Sequence, residues 1–211
     1  MTDALALAFA SIVRRIVPDA TLVSHRPLKG GVSAAVYALE ATSADGPVNV
    51  VLRRHGAATW KQLPEAVTRT EFQLLGVLRN AGLRVPRPLL FDDSAKLLPS
   101  PFFVMEWVQG TTDVTLSARD AALQQMAEFL ARLHALEPES LSLPALPARE
   151  DPVSGTLQYL PPDPHFHGVR EFVASYVVQP TRPALLHGDF WPGNLLWHND
   201  QLAAVLDWED A

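Results

Sequence analysis

The chain has 211 residues, 48% of them hydrophobic and 19% charged, which suits a folded globular protein with a sizeable core rather than a disordered chain. Its 23 acidic residues outnumber 17 basic ones, the formal net charge is −6, and no basic stripe is present, so the composition argues against nucleic acid as a partner. Cysteine is absent, which excludes disulfides, thiolate catalysis and cysteine-ligated zinc.

The opening MTDALALAFASIVRRIV carries Asp3 where a secretion signal carries positive charge, and Arg14 and Arg15 interrupt its apolar positions, so it predicts an amphipathic helix. No run approaches the roughly 20 apolar residues that a membrane crossing needs. The expectation is a cytoplasmic protein with no membrane partner. TLVSHRPL and VSAAVYALEA then predict two strands joined through Leu28-Lys29-Gly30-Gly31, and SADGP turns the chain into a third strand, VNVVLRR. A helix is expected from Pro64, a favourable first-turn residue, to Asn80, with Gly82 placed to end it and Val85-Pro86-Arg87-Pro88 holding the chain extended. RPLLFD and FFVMEWV predict two more strands.

After Gly110 the pattern becomes helical: Ser117 and Asp120 suit a cap, and Leu123, Met126, Ala127, Leu130 and Leu133 share one face. Seven of the 18 prolines fall between Pro138 and Pro164, which predicts a long irregular connection and then a short helix near Val169 to Val178. Two short apolar runs, Ala184 to Leu186 and Leu202 to Leu206, close the chain, each followed by a polar segment.

Those polar segments carry the chemistry. Asp189 and Asn194 stand five residues apart with Trp191-Pro192-Gly193 bending the chain between them, so a carboxylate and an amide oxygen can converge. Asp207 follows Asp189 by eighteen residues at the end of an apolar strand, where a buried carboxylate needs a cation or donors. Phosphoryl transfer from a nucleotide asks for such groups: metal ligands, a group that orients the acceptor hydroxyl, and cationic or backbone donors for the phosphates. Singly, Asp189 and Asn194 also suit a plain turn.

In the helix at 64–80, Val67, Leu74, Leu75 and Leu78 lie at helical spacing around Glu71 and bring that carboxylate onto the apolar face. A charge facing the core demands a partner, and Arg53, eighteen residues upstream on the third strand, supplies one; an edge position reaching water is the alternative. Arg54 points to the other face of the strand, towards solvent.

His187-Gly188-Asp189 with Asn194, followed by Leu206-Asp207-Trp208-Glu209, resembles the signature of the aminoglycoside phosphotransferases and choline-kinase-like enzymes, and the spacing is similar to that of protein kinases. The resemblance implies an α+β, protein-kinase-like two-lobed fold: an antiparallel-sheet nucleotide-binding lobe over residues 1–106 and a mainly helical catalytic lobe over 107–211. It implies ATP and Mg2+ as cofactors and a small-molecule hydroxyl as acceptor, with Asp189 the catalytic base and Asn194 and Asp207 the metal ligands. Gly30, Gly31 and Ser33, in a GGxS loop, and Arg53 would hold the phosphates, Glu71 would position Arg53, and Met105 would touch the adenine.

Three departures stand out. The glycine loop lacks the protein-kinase GxGxxG form, and two adjacent glycines also make an ordinary hairpin turn. Arginine replaces the usual lysine at position 53, a competent phosphate binder of different geometry. Family members continue past the LDWE motif through further helices, whereas this chain stops four residues after Asp207. An incomplete catalytic lobe is therefore expected, and a nucleotide-binding remnant without catalysis is the alternative function. A protein kinase fits less well, since the loop reads HGD rather than HRD and no activation segment follows. His187 is expected to brace the loop, His134 to end a helix, and the His165/His167 pair to lie on a loop surface. Glu209 has two readings, near the metal or in solvent.

Overall fold

The computed structural model describes residues 2–28, 34–55, 64–113, 119–148, 153, 157, 160–175 and 182–211. Helix α1 (Thr2–Ile16) buries Phe9, Ile12 and Val13 along one face, the i, i+3, i+4 spacing of an amphipathic helix. Arg14 and Arg15 sit in its last turn, where cations meet the negative end of the helix dipole. Arg15 also pairs with the largely buried Asp92, whose carboxyl is held below the usual carboxylate range despite its burial by Ser94 and Arg15.

Five antiparallel strands follow the expectation closely: β1 (Thr21–Leu28), β2 (Ala34–Ser43), β3 (Gly46–His55), β4 (Pro88–Asp92) and β5 (Phe102–Glu106). Their order is β1-β2-β3-β5-β4, so β5 inserts between β3 and β4. Because side chains alternate across a strand, Val50 and Leu52 of β3 and Phe102 and Val104 of β5 pack towards α1 on one face of the sheet. Val51, Arg53 and Met105 turn to the other face and line a cavity.

Helix α2 (Pro64–Asn80) packs on that second face with Leu74, Leu75 and Leu78 buried. It ends as its glycine predicts. Gly82 adopts φ +78, its N–H donates to the Arg79 carbonyl at 3.0 Å, and Leu83 N–H reaches back to the Leu78 carbonyl at 3.0 Å. These are the two bonds of a Schellman motif, and they satisfy carbonyls that the helix end would otherwise leave open.

In the C-terminal half, α3 (Arg119–Ala135) forms, but its buried face differs from the expected one. Ala122, Phe129 and Leu133 are buried while Leu123 is 56% exposed. The rotation follows from Phe129, whose ring stacks on Phe190 at 5.9 Å and touches Trp208 at 6.3 Å. Burying an aromatic ring removes more apolar area from water than burying a leucine, so it sets the helix's rotation. Ser117, the expected cap, lies outside the described residues.

Helix α4 (His167–Ser175) starts two residues before the expected helix, and 176–178 lie outside the described residues. The run Ala184 to Leu186 forms no strand. Instead, β6 (Leu195–His198), which the sequence reading did not anticipate, pairs with β7 (Gln201–Val205) through a two-residue turn at Asn199 (φ 50) and Asp200 (φ 59). Two consecutive positive φ values define a type I′ turn, whose twist matches that of a hairpin. Its larger core joins α2, Phe103 of β5, α3, the β6–β7 hairpin and Trp208 into one cluster. No helix among the described residues is long and apolar enough to cross a membrane.

Candidate active site

Under the second face of the sheet lies a cavity of about 430 Å3. Val36, Val51 and Met105 form its apolar roof, and Leu196 and Leu206, from beneath, its apolar floor. Polar groups gather at one end. Arg53 enters from β3, Asn194 from the loop before β6, and Asp207 from the end of β7. The choice between the two adjacent arginines is thereby decided by strand alternation: Arg53 is 7% exposed and faces the cavity, while Arg54 is half-buried.

Arg53 is the hub of a charged cluster. Its Nε lies 3.0 Å from Glu71 Oε2, an ion-pair distance without the alignment of a hydrogen bond. Its Nη2 donates to Asp207 Oδ1 at 2.5 Å and to Glu209 Oε2 at 2.9 Å. Glu71 is only 2% exposed, and its Oε1 accepts the backbone N–H of Trp208 at 3.3 Å, which ties α2 to the segment after β7. Burial opposes the charge on Arg53, but Glu71, Asp207 and Glu209 together push its pKa further up, so the guanidinium stays ionised. Asp207 is raised above the ordinary carboxylate value, by burial first and by its neighbours Glu71 and Glu209, with Arg53 opposing. Three carboxylates share one guanidinium. The cluster carries an excess of negative charge that a divalent cation would relieve.

The loop after His187 is built around its own backbone. Asn194 Nδ2 donates to both the Asp189 carbonyl and Asp189 Oδ2 at 2.9 Å, which leaves Oδ1 as the acceptor of that side chain. Leu206 N–H donates to the Asn194 carbonyl at 2.8 Å, so the loop and the strand leading to Asp207 are joined directly. Gly188 has φ +85, and a Cβ there would stand 2.1 Å from the Asp210 carbonyl oxygen, so glycine is the only residue that lets the loop approach this closely.

His187 is buried. Its Nε2–H donates to the Leu206 carbonyl at 2.9 Å, and its Nδ1 accepts the Asp189 N–H at 3.2 Å. Burial holds the imidazole below its usual pKa, against the Leu206 carbonyl and nearby carboxylates, and this bonding pattern requires the neutral ring. It braces the loop and has no proton to spare for chemistry. Trp208, 1% exposed, packs on that ring at 4.4 Å and anchors its own Nε1–H on the Val205 carbonyl at 3.1 Å. Asp207 itself takes φ +65, a left-handed conformation that aspartate and asparagine adopt more readily than other side-chain-bearing residues, and its carboxylate accepts from Arg53.

The structure thus brings Arg53, Glu71, Asn194 and Asp207 together around one end of the cavity, with Met105 on its roof; Asp189 is not a lining residue and joins the group through its bonds to Asn194. Gly30, Gly31 and Ser33 lie outside the described residues. Among the described residues, no group of three or more histidine, aspartate or glutamate side chains is placed to hold a metal by itself. The available donors, Asn194 Oδ1 and the Asp207 carboxylate, are hard oxygens, which suit a cation completed by ligand and solvent oxygens rather than an all-protein cage. Of the two sequence readings of Glu209, near the metal or in solvent, neither included its pairing with Arg53, and the Trp208 N–H escaped the sequence reading because no side-chain pattern advertises it.

An antiparallel sheet roofing a cleft, with an arginine–glutamate pair above and an Asp/Asn loop plus a second aspartate below, is the architecture of protein-kinase-like phosphotransferases. The profile of the phosphotransferase enzyme family matches residues 24–211, and the chain belongs to that family. Its fold is similar to a putative aminoglycoside phosphotransferase from Ralstonia eutropha (TM-score 0.70, 18% identity, covering 99% of this chain and 64% of that one). It is also similar to the macrolide 2'-phosphotransferase MphH from Brachybacterium faecium (TM-score 0.65, 18% identity, 96% and 71% covered). A third similar structure, the aminoglycoside phosphotransferase APH(4)-Ia, was crystallised with AMP-PNP and hygromycin B (TM-score 0.61, 15% identity, 95% and 70% covered). In sequence, the chain is 29% identical over 178 residues to mouse acyl-CoA dehydrogenase family member 10, covering 76% of this chain and 17% of that protein. It is 29% identical over 158 residues to human acyl-CoA dehydrogenase family member 11, covering 66% and 20%. The chain spans at most about a fifth of the length of these curated relatives.

Proposed function

We propose that this protein is an ATP- and Mg2+-dependent phosphotransferase that moves the γ-phosphate to a hydroxyl of a small molecule. The observation that carries the reading is the charged end of the cavity, where Arg53 is gripped by Glu71 and Asp207 a short step from the Asn194–Asp189 pair. A purine fits the apolar part, between Val51 and Met105 above and Leu196 and Leu206 below, with its phosphates running towards Arg53. Residues 1–106 act as the nucleotide-binding lobe and 107–211 as the catalytic one, in a cytoplasmic protein.

Asp189, oriented by the Asn194 amide, accepts the proton of the acceptor hydroxyl as its oxygen bonds to the γ-phosphorus and the bond to the β,γ-bridging oxygen breaks, releasing ADP. Asn194 and Asp207 are the residues that would hold Mg2+. The ion supplies charge neutralisation for the triphosphate. Glu71 keeps Arg53 aimed at the α and β phosphates, and a guanidinium can grip them in a fork where lysine offers a point charge.

The first test is thermal shift with ATP and Mg2+, followed by phosphotransfer assays. Acceptors should include aminoglycosides and macrolides, from the structural neighbours, and hydroxylated acyl-CoA thioesters, because the curated relatives carry acyl-CoA in their names. The −6 net charge gives a slight bias towards cationic acceptors. Asp207→Ala is expected to abolish Mg2+-dependent stabilisation. Asp189→Asn is expected to keep nucleotide binding while kcat falls by about a thousandfold or more. Equal turnover in wild type and Asp189→Asn would overturn the assignment, and binding without turnover in every acceptor would favour the non-catalytic nucleotide-binding alternative.

A further inference from the structure

We propose that Trp191 is a specificity-determining residue for the acceptor: its exposed indole face is the platform on which a ring-shaped acceptor stacks while a hydroxyl of that ring reaches Asp189. The inference rests on the phosphotransferase reading above and narrows it to a hydroxyl carried on a ring with a C–H face, as opposed to one on an open chain. Two of the large apolar side chains that stay exposed among the described residues, Leu186 at 43% and Trp191 at 55%, fall within three residues of Asp189. Leu185 and His187 between and before them are buried, and Phe190 stacks on Phe129. The exposed pair is therefore the outward side of a well-packed loop, and it lies where the acceptor must approach.

Trp191 is held in place by the turn it opens. Its backbone is extended (φ −142, ψ 162), Pro192 follows, and its carbonyl accepts the Asn194 N–H at 3.0 Å, closing the turn that carries the Asn194–Asp189 pair. The six-membered part of the indole lies against Gly193 on the side where a Cβ would project, so a side chain there would overlap the ring and only glycine gives it a seat. Gly193 in turn lines the cavity beside Asn194 and Asp207. The indole is thus backed by the loop and open to solvent, and its Nε1–H has no hydrogen-bond partner among the described residues. Two residues span at most about 7 Å, so the platform and the Asp189 carboxylate serve the same small volume. A flat indole gains most contact from a flat partner, whereas a flexible chain must give up rotamer freedom to lie on it.

The experiment compares wild type, Trp191→Ala and Trp191→Phe of the whole chain in phosphotransfer assays. Hygromycin B and a macrolide glycoside serve as ring acceptors and a hydroxylated acyl-CoA thioester as the open-chain one, with the Kd for ATP in Mg2+ measured in parallel by titration calorimetry. A ring acceptor is expected to be the one turned over. Its KM should rise about tenfold in Trp191→Ala with kcat little changed, and return to within about threefold of wild type in Trp191→Phe, as loss of a stacking contact predicts. The Kd for ATP should stay within about twofold throughout. Equal KM in wild type and Trp191→Ala overturns the proposal, and so does turnover confined to the open-chain thioester. A loss of ATP affinity that matches the rise in KM also overturns it, since the ring would then only shape the loop. Should Trp191→Ala fail to fold, Trp191→Leu, which keeps apolar bulk without a flat face, carries the same expectation. If wild type phosphorylates none of the three acceptors, the phosphotransferase reading fails and takes this inference with it, an outcome separate from the others.

Discussion

At the scale of single residues, the cluster around Arg53 is defined by imbalance: one buried cation faces three carboxylates. Removing one partner of a buried ion pair leaves an uncompensated charge and costs about 3–5 kcal/mol. Arg53→Met is expected to fall in that range by denaturant unfolding, because it leaves Glu71, Asp207 and Glu209 facing one another. Glu71→Gln should cost less, since Arg53 keeps two carboxylates. If the two variants lose equal stability, the cluster is not organised around the guanidinium. His187 supplies a pH dependence with a definite sign. Its folded pKa lies below the ordinary 6.5, so below that pH the unfolded chain binds a proton that the folded one refuses. The contribution is complete above pH 6.5 and is lost as pH falls towards the depressed folded value. A fall in Tm as pH drops below 6.5 is therefore expected in wild type and should be shallower in His187→Gln.

The elements are held in register by a few backbone conditions, and two glycines separate their kinds. Gly82 has φ +78 and only an ordinary 3.7 Å contact with Arg132 Nη2 at its Cβ position, so Gly82→Ala meets little beyond the left-handed backbone penalty, about 1 kcal/mol. Gly188 has φ +85 and would also drive a Cβ to 2.1 Å from the Asp210 carbonyl oxygen. Gly188→Ala must push the HGD loop away from the segment bearing Asp207, so we expect a loss of several kcal/mol together with loss of nucleotide binding. Thermal melts of the two variants, with and without ATP and Mg2+, distinguish these outcomes. The sheet, α1 and α2 were legible in the sequence because period-2 and period-3.6 patterns, a proline start and a glycine stop all agreed there. The face of α3 was not. Helical spacing gives a stripe but no partner, and Phe129 found Phe190 and Trp208 from segments more than 60 residues away. Strand β6 was hidden because LLWH is too short for periodicity to separate strand from loop.

Across the whole molecule, the larger core spans both halves of the chain: Leu74 and Leu78 of α2 share a cluster with Leu133, Val205 and Trp208. Coupling of that kind predicts one cooperative unfolding transition, with tryptophan fluorescence and far-UV circular dichroism giving the same midpoint; two separated midpoints would mean that the halves unfold independently. The candidate site depends on the same coupling, since Glu71 reaches the Trp208 N–H across it. By itself the sequence determined the types and spacing of the reactive groups, because Asp189, Asn194 and Asp207 lie within one short stretch whose turn and strand are local features. It also put Glu71 on the apolar face of its helix, where it either pairs with a cation or reaches water from an edge position, and the structure chose the pair with Arg53. Only the tertiary structure decided which carboxylates gather on Arg53, the left-handed turn at Asp207 and the neutral brace of His187, because each depends on distances between segments remote in the chain, and those are set by packing rather than by local pattern.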